Sequence, residues 1–140
     1  MSIKLEACDT WCSKVVRQKA NYTCEYCGKQ DSRMECCHIH GRRAKSVRWS
    51  LDNLLCLCSH HHRYFTENPT EFTRWLEGKF DDNGNWVEGY LGKGHIDILL
   101  EKKNILMPTN KKLRAEIAKH YRLELRKMEQ DPSYEPVSYN

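Results

Sequence analysis

The sequence predicts an α+β fold in which two short strands and several helices surround a knuckle of cysteine and histidine residues. Three observations support this prediction. Pairs of these residues recur at two-residue gaps near Cys24 and Cys58. Two short apolar stretches, 34–39 and 54–57, have the length and composition of strands. Apolar residues at three- and four-residue steps near both ends of the chain indicate amphipathic helices.

Length and composition indicate one globular domain. The chain has 140 residues, of which 39% are hydrophobic and 30% are charged, and its formal net charge is +4. This composition excludes disorder and fibrous repeats. Since no apolar run has the roughly 20 residues of a membrane span, and the first residues lack a signal-peptide core, we expect a soluble cytoplasmic protein. Eight cysteines in a reducing compartment favour metal binding over disulfides.

The N-terminal half of the chain is predicted to hold a helix, two strands and a second helix. Ser2 is suited to cap the first helix, whose apolar stripe covers residues 5–19. A basic loop separates the strands at 34–39 and 54–57. The second helix should begin near Ser59, directly after the second strand.

Boundary signals in the second half of the chain are equally clear. Asn68, followed by proline, predicts the cap of a further helix that ends at Gly78. Residues 81–85 favour a tight Asn-Gly turn over a calcium loop, because the acid expected at the loop's twelfth position is missing. A basic amphipathic helix is predicted over 110–130, with a loose tail at 132–140.

Four residues have the two-plus-two spacing of a structural zinc site: Cys24 with Cys27, and Cys58 with His61. Each two-residue gap lets a pair of ligands reach one tetrahedral ion. Thiolate and imidazole ligands suit Zn²⁺, and a closed four-coordinate site holds structure rather than performing chemistry. Two alternatives remain open, because Cys56 could replace Cys58 and His60 could replace His61.

The residues around this knuckle resemble the HNH endonuclease family, also called His-Me finger or ββα-metal nucleases. The resemblance covers residues 24–75 and is carried by Cys24-x-x-Cys27, Glu-Cys-Cys-His38-Ile and Asn53-Leu-Leu-Cys-Leu-Cys-Ser-His-His-His62. It implies a zinc-stabilised ββα-metal core flanked by helices at both ends of the chain.

The same resemblance divides the chain into two parts. Residues 1–80 would hold the N-terminal helix and the zinc-bound nuclease core. Residues 81–140 would form a C-terminal extension whose basic helix packs on or beside that core. Residues 64–69 are similar to phage-type members, and the basic C-terminal helix is similar to that of NinG-type phage recombination nucleases.

The resemblance implies three catalytic residues. His38 would be the general base, which needs a neutral imidazole near physiological pH. Asn53 would hydrogen-bond the backbone and fix the loop that orients the base. His62 would bind a divalent ion, Mg²⁺ or Mn²⁺, which stabilises the departing 3′ oxygen. Cys37 stands where many members carry a second ligand, so either it does not bind the ion or the site prefers softer ions such as Ni²⁺ or Co²⁺.

The loop between the strands is predicted to contact DNA phosphates without reading sequence. Residues 38–50 carry four cations and no acid: Arg42, Arg43, Lys45 and Arg48. The C-terminal helix either extends this footprint or packs on the core and shows its charges to water. His40 is open to three roles, namely phosphate contact, support of the site or plain surface histidine.

Two functions compete on these observations. The first is a metal-dependent HNH endonuclease that hydrolyses DNA, of phage or bacterial origin, acting as a monomer or a homodimer. The second is a zinc-stabilised DNA-binding or assembly protein that has the same fold but no hydrolytic activity. The second is motivated by Cys37 and Thr66, which stand where further ligands of the catalytic ion are expected.

Overall fold

The fold was analysed in a computed structural model that describes residues 5–104 and 110–140. Its helices and strands are α1 (Ala7–Lys19), β1 (Glu35–His38), β2 (Leu54–Leu57), α2 (Ser59–Glu67), α3 (Pro69–Glu77), β3 (Gly78–Phe80), β4 (Trp86–Glu88), α4 (His95–Lys103) and α5 (Lys111–Gln130). The predicted α+β class is confirmed. Within the described ranges, no helix has the length and apolar character that a bilayer crossing requires.

The two predicted strands form an antiparallel pair at the centre of the molecule. Glu35 lies opposite Leu57 and His38 lies opposite Leu54. All four residues of β2 are buried, because α1 and α2 pack against the pair. The N–H of Ile39 donates to the carbonyl of Asn53 at 2.9 Å, which extends the pairing beyond His38. This pairing holds the end of β1 next to the residue that precedes β2.

Helix α1 begins later than the sequence predicted. Glu6 occupies its N-cap in a capping box with Asp9, whose carboxylate accepts from the Glu6 N–H at 2.9 Å. The predicted cap, Ser2, lies outside the described residues. The predicted apolar stripe faces the core, and burial raises the pKa of the Cys8 thiol to about 11, as expected of a structural cysteine.

Helix α5 packs against α1 through its apolar stripe. Asn110 caps it, since its side-chain oxygen accepts from the N–H of Leu113 at 2.8 Å. Ile117, Tyr121 and Met128 are buried, and the Tyr121 hydroxyl donates to the carbonyl of Trp49. The stripe therefore binds the helix to the core.

The C-terminal residues are docked, so the predicted loose tail is wrong. The Ser138 hydroxyl accepts from the N–H of Leu51 at 3.0 Å. The Asn140 amide donates to the carbonyl of Ser46 at 2.6 Å. Polar side chains of the tail thus satisfy backbone groups of the β1–β2 loop. The sequence of the tail has no apolar periodicity that could have predicted these contacts.

Local boundary signals are confirmed around α3. Asn68 is its N-cap, Pro69 is its first residue and Gly78 ends it with φ 126. A Cβ at Gly78 would lie 2.5 Å from the Val87 carbonyl oxygen, so the chain needs glycine there. The predicted turn at 81–85 joins β3 to β4.

Candidate active site and metal centre

The predicted zinc ligands come together beside the ββα unit. The ligand atoms of Cys24, Cys27, Cys58 and His61 all lie within 4.8 Å of one another. The sulfurs of Cys27 and Cys58 are 3.9 Å apart, and the Cys58 sulfur is 3.2 Å from His61 Nδ1. A tetrahedral ion with zinc–sulfur bonds of about 2.3 Å separates its sulfur ligands by about 3.8 Å. The four residues therefore fit Zn²⁺.

The two alternative zinc ligands are not part of this group. Cys56 is fully buried in β2 opposite Cys36, and burial raises the pKa of its thiol to about 12. His60 is exposed at the start of α2. In the part of the chain that the structure describes, Cys58 and His61 complete the one group of this kind.

Backbone N–H groups shape the turn that carries Cys24 and Cys27. The N–H of Gly28 donates to the Cys24 carbonyl, with Gly28 at φ 79. Burial alone would raise the pKa of Cys24, but the N–H groups of Cys27 and Cys58 that face its sulfur lower it. A depressed thiol pKa favours the thiolate, which is the form that binds metal.

Aromatic side chains support the knuckle from the side of α2 and α3. The ring of Tyr26 meets His61, Phe65 and Trp75 edge-on, with centroids 4.7 to 5.1 Å apart. The neighbouring Glu25 accepts from the backbone N–H of Cys56 at 2.6 Å. These contacts attach the knuckle to α2, the helix that carries His62.

His38 and His62 line one cavity of about 440 Å³. His38 lies at the end of β1, and His62 lies in the first turn of α2. The N–H of His62 donates to the Cys58 carbonyl at 2.9 Å. Three cations line the same cavity, Arg17 from α1 and Arg42 and Arg48 from the loop after β1, together with the acids Asp9 and Glu35. Arg48 is paired with Asp9. The cavity thus combines two imidazoles with positive charge.

His62 is paired with an acid that the sequence analysis did not assign. The Nδ1–H of His62 donates to Glu35 Oε1 at 2.8 Å. A carboxylate in this position fixes the ring and leaves Nε2 as the nitrogen that can bind an ion. A charged residue inside a short apolar strand was the signal that could have identified Glu35. Arg17 gave no such signal, because the packing of α1 beside β1 is a tertiary contact.

Asn53 holds the loop that follows His38. Its side chain is fully buried, its Oδ1 accepts from the N–H of His40 at 2.8 Å, and its Nδ2 donates to the His40 carbonyl at 2.9 Å. One amide thus satisfies both backbone groups of a single residue, two positions after His38.

The environment of His38 keeps its imidazole neutral. The residue is half-buried, and burial together with the positive charge of Arg42 lowers its pKa to about 4. The negative charge of Asp9 and the polar backbone of Arg48 oppose this decrease in the pKa. At neutral pH the ring therefore offers one nitrogen that can accept a proton.

Cys37 and Thr66 are poorly suited to bind an ion in this cavity. Cys37 is buried away from the cavity with its sulfur 3.9 Å from the carbonyl of His38, and burial raises its pKa to about 12. The hydroxyl of Thr66 donates to the carbonyl of His62 at 2.8 Å. The alternative in which Cys37 binds the ion thus has no support in this geometry.

The four cations of the loop fall into two groups. Arg43 and Lys45 are exposed, and Arg42 is half-buried between His38 and solvent. Arg48 differs, because it is 6% exposed and binds Asp9. The expectation that Arg48 contacts DNA therefore does not fit the structure, since burial commits its guanidinium to a carboxylate inside the protein.

Comparison with known proteins gives one match. Residues 24–68 match a family model described as HNH endonuclease. No curated protein and no solved structure matches the chain. The matched segment contains the knuckle, the β1–β2 pair and α2, and therefore His38, Asn53 and His62. Helices α1, α3, α4 and α5 lie outside it.

Proposed function

Because residues 24–68 match a family model described as HNH endonuclease, we propose that the protein is a metal-dependent endonuclease that hydrolyses phosphodiester bonds in DNA. One observation carries the proposal, namely that His38 and His62 line the same cavity together with Glu35 and Arg42. A neutral base, an ion-binding imidazole and a cation are the groups that phosphodiester hydrolysis requires.

His38 is the proposed general base. Its ring is neutral at physiological pH, so one of its nitrogens is able to accept the proton of a water molecule. Asn53 is a positioning residue, because it fixes His40 and with it the exit of the chain from His38. The attacking water would become part of a 5′ phosphate, and the 3′ oxygen would leave.

His62 would hold the catalytic ion through Nε2, and Glu35 would orient its ring through Nδ1. An imidazole ligand with water and phosphate oxygens completing the shell fits Mg²⁺ or Mn²⁺, and also Ni²⁺ or Co²⁺. When bound, such an ion supplies positive charge to the scissile phosphate and to the departing oxygen. Arg42 and Arg17 would add charge from the other elements that line the cavity.

Zinc has a different proposed role, which is to hold the scaffold. The knuckle ties the turn at Cys24 and Cys27 to the start of α2, where His61 belongs to the zinc group and His62 to the cavity. Because four protein ligands fill the coordination sphere of the zinc ion, no coordination position is left for water or substrate.

A second candidate is a DNA-binding or assembly protein of this fold without hydrolysis. It is favoured by the sparse ligand set, because Cys37 is buried away from the cavity and the Thr66 hydroxyl is bonded to the backbone. Both candidates have DNA as partner, with Arg42, Arg43 and Lys45 as proposed phosphate contacts. We also propose a phage or bacterial origin, on the resemblance of residues 64–69.

Plasmid cleavage separates the two candidates. Purified protein is incubated with supercoiled plasmid in Mg²⁺, Mn²⁺, Ni²⁺ or Co²⁺, and the new ends are tested for 5′ phosphate by ligation. The endonuclease predicts nicked or linear DNA with ligatable ends in at least one ion. Salt-sensitive binding without cleavage in any ion would leave the second candidate.

A further inference from the structure

A second cavity, of about 460 Å³, adjoins the loop that follows β1. Its lining residues are His40, Gly41, Arg42, Arg43, Ala44 and Lys103. Among these described residues there are three cations and a histidine, and there is no acid. Arg42 also lines the cavity of His38 and His62, so the two cavities share a wall.

The cavity is built between two fixed elements. On one side, Asn53 holds the backbone of His40 through two hydrogen bonds. On the other side, the Ser46 hydroxyl donates to the carbonyl of Lys103 at 2.7 Å, which attaches the end of α4 to the loop. Lys103 lies outside the segment that matches the HNH family, so this cavity is not built by that segment alone.

Two of the residues that line this cavity each carry a buried nitrogen atom with no hydrogen-bond partner within the described part of the chain. They are Nε2 of His40 and Nε of Arg42. Buried polar groups are nearly always paired, and the unpaired Nε–H of Arg42 is therefore a donor to which an acceptor on a ligand can bind. Both residues line the same cavity.

The charges around this cavity favour an anion. Burial and the charge of Lys103 lower the pKa of His40, which shows that the two groups repel each other when His40 is protonated. A phosphate between them would offset this repulsion and would accept from the Arg42 guanidinium.

We propose that this cavity binds the DNA backbone phosphate that neighbours the scissile phosphate on the same strand. The substrate in this inference rests on the proposed function. Arg42 separates the two phosphates and contacts both, whereas Lys103 and His40 contact the neighbouring one alone. The cavity would thereby set which bond of the strand lies beside His38.

Binding of DNA tests the inference without hydrolysis. The affinity for a fluorescent 20-base-pair duplex is measured against NaCl concentration, with no divalent ion added, for the wild type and for Lys103→Gln. Loss of one phosphate contact lowers the slope of log K against log salt by about 0.9. Lys103→Arg should restore the slope. Lys79→Gln, which removes an exposed charge from β3, is the matched control and should leave the slope unchanged.

Hydrolysis of small substrates locates the second phosphate. The dinucleotide TpT has only the scissile phosphate, whereas pTpT and TpTp each add one neighbour. We expect one of these two to be hydrolysed with about tenfold higher kcat/KM than TpT by the wild type. Lys103→Gln should abolish that advantage and leave TpT unchanged.

Three results would overturn the inference. They are a salt slope that Lys103→Gln does not change, an equal decrease in slope for Lys79→Gln, or equal loss of TpT hydrolysis in Lys103→Gln. Failure of the proposed function is distinct. If the wild type cleaves no DNA in any ion, the endonuclease is wrong, and the salt slope alone still decides whether Lys103 binds a phosphate.

Discussion

Arg48 and Asp9 form a buried ion pair that ties the β1–β2 loop to α1. Arg48 Nη2 lies 2.6 Å from Asp9 Oδ2, and Nε donates to Oδ1 at 2.9 Å. The Trp49 indole donates to the same carboxylate at 2.9 Å. Because Asp9, Arg48 and His38 line the same cavity, this pair also fixes the wall of that cavity beside the proposed base. A helix outside the family-matched segment thus supports the site.

Replacing Asp9 with Asn should destabilise the protein strongly. The change leaves a buried guanidinium unpaired, for which we expect a loss of about 3 kcal/mol in the free energy of unfolding at pH 7. Burial would raise the pKa of Asp9, but Arg48 and the other donors lower it below its ordinary value of 3.8.

The pH dependence of that loss follows from the sign of the shift. A depressed carboxyl pKa stabilises the fold fully above pH 3.8, and this stabilisation decreases as pH falls toward the folded-state pKa. Urea unfolding should therefore give the same difference between wild type and Asp9→Asn at pH 7 and at pH 5. A difference below 0.5 kcal/mol at both values, on the order expected of a surface substitution, would show that the pair is not structural.

Replacing Asn53 with Ala should remove activity beyond its effect on stability. The change leaves the N–H and carbonyl of His40 without partners, which costs about 2–4 kcal/mol. At a temperature where the variant is folded, we expect plasmid cleavage to fall about 100-fold, because the base loses its orientation. Amide exchange of His40 measures the lost hydrogen bond directly. Fast exchange with full cleavage would rule out a positioning role.

Zinc content should depend on Cys58 and not on Cys56. Cys58→Ser removes a ligand of the knuckle, and we expect it to lower bound zinc from one equivalent toward zero and to unfold the core. Cys56→Ala removes a buried thiol of the same strand region and should keep one equivalent. Metal analysis of the two purified variants, with circular dichroism, makes the comparison. The reverse pattern would mean that Cys56 is the ligand.

The rate of cleavage should not decrease near pH 6.5, where an ordinary histidine becomes protonated. With the pKa of His38 lowered to about 4, the base is neutral throughout the range from pH 8 to pH 5, and kcat/KM should be flat there. Arg42→Gln removes one cause of the decrease, so its acid limb should move to higher pH. A wild-type profile that falls by half near pH 6.5 would contradict the assigned environment.

Local sequence signals predicted the parts of this fold that depend on local rules. The knuckle spacing, the two strands, the Asn68 cap and the Gly78 stop each follow from a few neighbouring residues. The brief strands β3 and β4 were not predicted beyond their connecting turn. Three-residue strands have too few positions to show a period.

The remaining features of the fold depend on contacts between residues that are far apart in the sequence, which local patterns do not predict. Arg48 lies in a run of loop cations, and nothing near it in the sequence shows that Asp9, 39 residues earlier, draws it into the core. The docking of the tail is not predicted by local patterns for the same reason, since the Ser138 hydroxyl accepts from the N–H of Leu51, 87 residues away in the sequence. Arg17 and Lys103 enter the two cavities from helices whose packing no local pattern specifies.

The proposed chemistry depends on His38 and His62, which line the same cavity. Plasmid cleavage by His38→Ala and His62→Ala, with His60→Ala as the matched control from the same histidine run, tests it most directly. We predict a loss of at least about 100-fold for the first two variants and wild-type activity for the third, with zinc content unchanged in all three. Undiminished cleavage by His38→Ala, or an equal loss in His60→Ala, would contradict the account.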